Sequence, residues 1–364
     1  MLAFRTVYRR EHIADITLSN VNTEYTLPTQ GGQIPSDRFL HSLLLTFEGR
    51  MTNPASGGPT DRLADAPFSI IDRITVEGYH RLRQTQEKFI DVRAVDLRNL
   101  NGIYRGLLPY STHESGDLSV TASATNDVRF VIPVPFVPLG LPVSQQANWL
   151  LDAPNYDSLK LTVKYADTQS VFSGATTNPT LSAYGSATGD PSLRVDGIFA
   201  QAGPSAFRGF LPRRLWRWFS ENTSDLTATS NAVRLFNLPR GYFIRGILVK
   251  TGVKATGVTA GNDAYNTLSD TILSEVKLFR GINKAIRHWP LYVTMADDTE
   301  FAYGIRPATG YKLIDFAPNK HDGEVLDTRG LIAGPTGDID LYLQGDVAGS
   351  ANQAALVMYE EWRG

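Results

Sequence analysis

Arginine and aromatic side chains interleave in "RRLWRWFSEN", residues 213–222, which holds Arg213, Arg214, Trp216, Arg217, Trp218 and Phe219. Two chemistries fit such a stretch. Guanidinium groups can neutralise phosphates while aromatic faces stack on bases, as in single-stranded nucleic-acid binding. Alternatively Trp216 and Trp218, two residues apart, point the same way from a strand and plug a junction between domains or between chains. We prefer the second reading for Arg213, Arg214, Trp216 and Trp218, because aromatic residues and arginine are enriched at interfaces generally.

A second basic stretch opens the chain. "FRTVYRREH" sets Arg5, Arg9 and Arg10 among Phe4, Val7 and Tyr8. Basic residues beside an anionic lipid surface gain about 1 kcal/mol each. The other reading is a solvated or locally tucked terminus.

The remaining chemistry-bearing residues form no recognised site. The six histidines are scattered, with no HExxH and no His-x-His, so zincin and cupin-type metal centres lack their ligands. His41 and His288 stand beside apolar residues and read as packed or interface histidines. "ADDTE" (Asp297, Asp298, Glu300), "KHDGEVLD" and "TGDIDLYLQGD" match no calcium loop and read as solvated turn carboxylates. A glycosidase pair is decided by spatial separation, which sequence does not give. There is no phosphate-cradling GxxxxGK[ST] and no G-x-S-x-G elbow. With no cysteine, disulfides, thiolate zinc sites and cysteine nucleophiles are all removed. No catalytic residue, metal or cofactor is expected.

Composition frames these residues. The 364-residue chain is 42% hydrophobic and 20% charged with a formal net charge of −2, an ordinary soluble balance that argues against a dedicated nucleic-acid binder. "VIPVPFVPLGLPV" at 131–143 is the longest apolar run, and its four prolines forbid a spanning helix. The N-terminus lacks the layout of a secretory signal, since its arginines follow the short apolar stretch.

Short alternating runs separated by Gly/Pro/Asn/Ser turns predict an all-β protein. Strands are expected at 39–47, 70–77, 128–134, 158–165 and 193–200, then at 233–238, 243–251, 272–279, 339–344 and 354–360. Helices are expected at 86–101 and 287–302, and residues 167–191 read as a surface loop without an apolar face. The two halves also answer each other. "RFLHSLLLTFEGR" matches "YFIRGILVKTGVK", each followed by a Gly-rich loop, and "FSIIDRITVEG" matches "TILSEVKLFRG", each followed by a candidate helix. "VRFVIPV" then pairs with "IDLYLQG" and "LKLTVKY" with "ALVMYEE", which together argue for a duplicated β domain. The expected division is an arm at 1–14, a first domain at 15–201, a connector at 202–232 and a second domain at 233–364.

This order, written twice, resembles the double-jelly-roll major capsid proteins of icosahedral viruses. The nearest likeness is to the tectivirus-like, internal-membrane branch of the adenovirus-hexon lineage. The stretches that carry it are "FLHSLLLTFEGRMTN" with "IIDRITVEGYHRLRQTQ", "VIPVPFVPLGL" before "NYDSLKLTVKYAD", and "GEVLDTRGLIAGPTGDIDLYLQGD" before "AALVMYEEW". The resemblance implies two eight-stranded jelly rolls in tandem, with one or two short helices in loops. It also implies a homotrimeric pseudo-hexagonal capsomer in the virion of, for example, a bacteriophage. It implies neighbouring capsomers and minor capsid or penton proteins as partners, and synthesis in the host cytoplasm without a signal peptide. An internal membrane would bring Arg5, Arg9 and Arg10 near lipid, and a trimer contact would employ the Trp216/Trp218 segment. The loops at 49–66, 167–191 and 252–269 would face outward or touch neighbouring tiles. A carbohydrate-binding or receptor-binding spike and a glycan-cleaving double-jelly-roll enzyme are the alternatives.

Overall fold

The computed structural model describes residues 7–142, 146, 149–201, 215–222, 233–237, 243–255, 265–280, 284–317, 325–328, 339–345 and 353–363. The chain divides into two compact units, and the main chain crosses from one to the other between Trp218 and Phe219.

The first unit is built from β1 (Val7–Thr17), β2 (Thr23–Leu27), β3 (Phe39–Thr52), β4 (Ile71–His80), β5 (Thr85–Arg93), α1 (Ala94–Arg105), β6 (Thr125–Pro135), β7 (Tyr156–Tyr165) and β8 (Ser192–Gln201). One sheet runs β1-β8-β3-β6 and the other β5-β4-β7-β2, all neighbours antiparallel. That is the four-plus-four strand order of a jelly roll. Alternation places Leu43, Leu45 and Phe47 of β3 on the inner side, paired in register with Val134, Ile132 and Phe130 of β6. All six are fully buried. The rings of Phe47 and Phe130 stack at 5.0 Å, and Phe68 meets Phe130 edge-on at 5.1 Å.

The second unit repeats the plan. It contains the latter half of β9 (Leu215–Asn222), the strand in which the chain crosses over, with β10 (Val233–Asn237), β11 (Phe243–Lys254), β12 (Leu273–Arg280), β13 (Lys284–Trp289), α2 (Met295–Tyr303), β14 (Tyr311–Asp315), β15 (Ile339–Gly345) and β16 (Gln353–Arg363). Its sheets run β9-β16-β11-β14 and β13-β12-β15-β10, so every strand matches the one eight places earlier. Ile247, Val249, Val276, Leu278, Ile314, Leu341 and Leu343 form the centre of its core.

Four expectations shift. Residues 7–14, expected in an arm, form the first strand of the first sheet, held by a ladder from Val7↔Gln201 to Thr17↔Ser192. The expected connector likewise contains β9. "VRFVIPV" (β6) is answered by "YKLID" (β14), not by "IDLYLQG". Both β6 and β14 flank the central strand of their sheet, whereas "IDLYLQG" (β15) takes the place of "LKLTVKY" (β7). Residues 167–191 do have an apolar side, because Val171 and Phe172 are buried and Phe172–Ser173 pairs with Asp61–Arg62.

The helices move for local reasons. Residues 86–93 of the expected first helix belong to strand β5, with Val92 opposite Ile74 and Ile90 opposite Val76. A bulge after Val76 lets the adjacent Phe89 and Ile90 both reach the core, and that broken alternation imitates a helical face. α1 follows and stops at Gly106, whose φ of 70° closes the helix without strain. In the second unit Pro290 keeps the preceding residues extended, so α2 starts only at Met295.

Candidate functional site

Of the residues expected to make contacts, Arg5, Arg213 and Arg214 lie outside the described residues. Trp216 and Trp218 fall on β9, with side chains outside them. Arg9 and Arg10 are on β1, whose alternation sends them to opposite faces. Arg9 is 61% exposed, with Nε 3.5 Å from Glu11. Glu11 also accepts from Arg38 Nη1 at 2.7 Å.

Arg10 is committed to its own unit. Its Nη2 and Nε donate to Asp196 Oδ2 on β8 at 2.5 and 3.1 Å, Arg194 Nε donates to the same carboxylate at 3.1 Å, and His12 Nδ1 stands 3.3 Å from Oδ1. The Asp196 side chain has no exposed surface. Burial pushes its carboxyl up, but the hydrogen bonds and charges of Arg10 and Arg194 outweigh this and hold it below the usual range. Sequence reading missed this cluster, since only the register His12↔Asp196 brings residues from the two ends of the domain together.

His41 is a packed histidine, as its neighbours suggested. Nε2 meets Gln146 Oε1 and Nδ1 meets Ser42 Oγ, both at 3.1 Å, and the Tyr8 ring stands edge-on at 4.8 Å. Burial holds the imidazole pKa down, the Gln146 contact opposes this, and the charge of Arg105 adds to the lowering. The unfolded chain therefore takes up the proton first as pH falls, and stability declines below about pH 6.5. Urea midpoints measured from pH 7 to pH 5 should fall, and His41→Gln should flatten that part of the slope.

Exposed apolar side chains also occur where each β-hairpin ends in a helix. After α1 the chain folds back over it. Arg98 Nη2 donates to Pro109 O at 3.1 Å and Glu114 Oε1 at 2.6 Å, with its guanidinium 3.7 Å from the centre of the Phe68 ring. Leu107 and Tyr110 in this segment are 76% and 58% exposed. On α2, Asp298 accepts from Trp289 Nε1 at 2.8 Å, Arg306 bridges Asp297 and Glu300 at 2.9 and 3.0 Å, and Phe301 is 95% exposed.

No arrangement for chemistry emerges among the described residues. No group of three metal-ligating side chains occurs among them. A cavity of about 350 Å³ in the first unit presents Asp167 and Asp190, but Asp167 Oδ1 already accepts from Gln169 N at 2.7 Å, closing a short helical turn.

No family model matches the sequence, and no curated protein matches it. Solved structures do match. The chain is similar to the major capsid protein of Sulfolobus Turreted Icosahedral Virus, with 15% identity, a TM-score of 0.69 and coverage of 98% of this chain and 96% of that one. It is similar to the major capsid protein P2 of bacteriophage PM2 (12% identity, TM-score 0.55, coverage 98% and 97%). It is also similar to VP54 of PBCV-1 (14% identity, TM-score 0.58, coverage 100% and 95%). These matches run through both units, and the chain has the double-jelly-roll fold of viral major capsid proteins.

Proposed function

We propose that this chain is the major capsid protein of an icosahedral virus and that three copies close into a pseudo-hexagonal tile. The observation that carries the reading is that likeness to viral capsid proteins covers nearly the whole of both chains. The physics of assembly agrees. Two units of one topology give a near-sixfold outline from threefold symmetry, so tiles pack in flat arrays while each keeps two unlike kinds of edge. Folding the strands into paired sheets leaves few free edges for uncontrolled pairing. A contact between chains in the obligate range of roughly 2,000–5,000 Å² is expected, with the Trp216/Trp218 strand and the arginines at 213–214 as one contributor. Neighbouring tiles and minor capsid or penton proteins are the partners, and no residue is assigned a catalytic role.

An internal membrane would lie against the basic N-terminal segment. Arg10 is held by Asp196, so Arg5 and Arg9 carry this part of the proposal. Because β1 begins at Val7, the test is removal of residues 1–6 together with Arg9→Glu, which spares the sheet. Flotation with anionic vesicles should fall in the variant, and unchanged flotation removes the lipid contact from the account. For the shell itself, the concentrated protein should form hexagonal arrays or closed shells by negative-stain microscopy. Dispersed single chains at every concentration and salt would count against it.

A further inference from the structure

The cavity of about 350 Å³ in the first unit gathers polar groups left without partners among the described residues. It lies where the chain leaving β1, the chain leaving β7 and the residues entering β8 meet. Two hydrogen bonds fix its walls, Leu18 N to Pro191 O at 2.9 Å and Thr168 Oγ1 to Pro179 O at 2.8 Å. Asp167 and Asp190 stand in these walls, and no lysine, arginine or histidine does among the described residues. Asp167 commits Oδ1 to Gln169 N, which anchors the carboxylate and leaves Oδ2 to the cavity. Asp190 makes no hydrogen bond or ion pair with any described residue. The exposed Asn178 also lines the cavity and can donate or accept.

Tyr165, the last residue of β7, is the buried member of the group. It is 1% exposed, yet it lines the cavity. Its hydroxyl forms no hydrogen bond with any described residue, whereas a buried phenol ordinarily finds a partner. Burial pushes the phenol pKa up, and the charges of Tyr25, Asp190 and Asp167 push it further. Both carboxylates therefore act on a neutral hydroxyl that still has lone pairs to offer.

Two uncompensated carboxylates call for a cation, and the remaining walls say which kind. Calcium takes about six to eight oxygen ligands, more than two carboxylates and a phenol supply. An ammonium group on an alkyl stem needs fewer acceptors, because it carries three N–H donors. Leu18, Val21, Leu181 and Pro179 give its methylenes an apolar wall beside the charges. We propose that this cavity binds an alkylammonium ion, with Asp167 and Asp190 balancing its charge, Tyr165 Oη accepting one N–H, and Leu18, Val21 and Leu181 flanking its stem. A free diamine and a lysine side chain of another chain present this same chemistry. The site is independent of the shell reading.

Cadaverine, a five-carbon diamine, is the probe, titrated calorimetrically into the native protein at neutral pH beside pentanol and calcium chloride. Cadaverine should bind saturably and pentanol should not. Tyr165→Phe keeps the ring, and Asp190→Asn breaks no internal contact, so both variants should match the parent in far-UV spectrum and melting curve. Asp190→Asn should weaken cadaverine binding at least about tenfold and Tyr165→Phe about fivefold. Unchanged affinity in both variants would place the amine elsewhere and overturn the proposal, as would no saturation below about 50 mM cadaverine. Displacement by calcium chloride beyond that by sodium chloride of equal ionic strength would make this a metal site, and equally overturn it. Nα-acetyl-lysine methylamide separates the two sources. Tighter binding than cadaverine assigns the amine to a lysine of a protein chain, and otherwise the occupant is a free diamine.

Discussion

Replacing Phe130 by alanine is expected to destabilise the protein by about 3–5 kcal/mol, the loss seen when a buried aromatic leaves a cavity. Phe130 lies on β6 with no exposed surface, stacked on Phe47 of the neighbouring strand and met edge-on by Phe68. Both ring contacts are lost together, and the surrounding rings are too rigid to close the space. The same chemical change at Phe301, 95% exposed on α2, should alter the stability of the dissociated chain by no more than about 0.5 kcal/mol. Urea unfolding of the two variants side by side measures the contrast. Equal losses would mean that the β3–β6 register is wrong.

Removing the carboxylate of Asp270 should cost a similar amount, about 3–5 kcal/mol at neutral pH, through the second unit. Lys312, on β14, is buried to 1% side-chain exposure and donates to Asp270 Oδ1 at 2.5 Å. That oxygen also accepts from Gly310 N at 2.7 Å, so Asp270→Ala strands a buried ammonium and a turn amide at once. Burial already holds the Lys312 pKa down, Asp270 opposes this, and nearby Arg306 adds to the lowering. Without Asp270 the depression deepens. The folded chain then releases the lysine proton before the unfolded chain does, so the variant should regain stability as pH rises towards about 10. Lys312→Met in the Asp270→Ala background should recover much of the loss, since an apolar chain of similar volume needs no partner. Unfolding midpoints at pH 7 and pH 9 check both statements, and a variant whose deficit is independent of pH would refute the buried-ammonium explanation.

Much of the fold was legible because the strands obey a period of two and are punctuated by turn residues. β3, β7, β8 and β11 fall within a few residues of their expected bounds. What misled was local. The bulge in the β4–β5 pair breaks alternation at Phe89 and Ile90, so a strand looked like the start of a helix. β14 was missed because five residues, "YKLID", are too short to stand out, and the halves were then aligned one strand out of step. The first strand of each unit was read as arm or connector, because arginines dominate "VYRREH" and "LPRRLWRWF". In β1 the charge of Arg10 is satisfied across the sheet by Asp196, a partner nearly two hundred residues away that no local pattern reveals.

The account stands or falls on self-assembly, and the most direct measurement is the solution mass of the native protein by size-exclusion chromatography with light scattering. Three chains of 40.1 kDa predict a species of about 120 kDa that persists on dilution. A single species of 40.1 kDa across the same concentrations would contradict the proposal that this chain builds a trimeric tile.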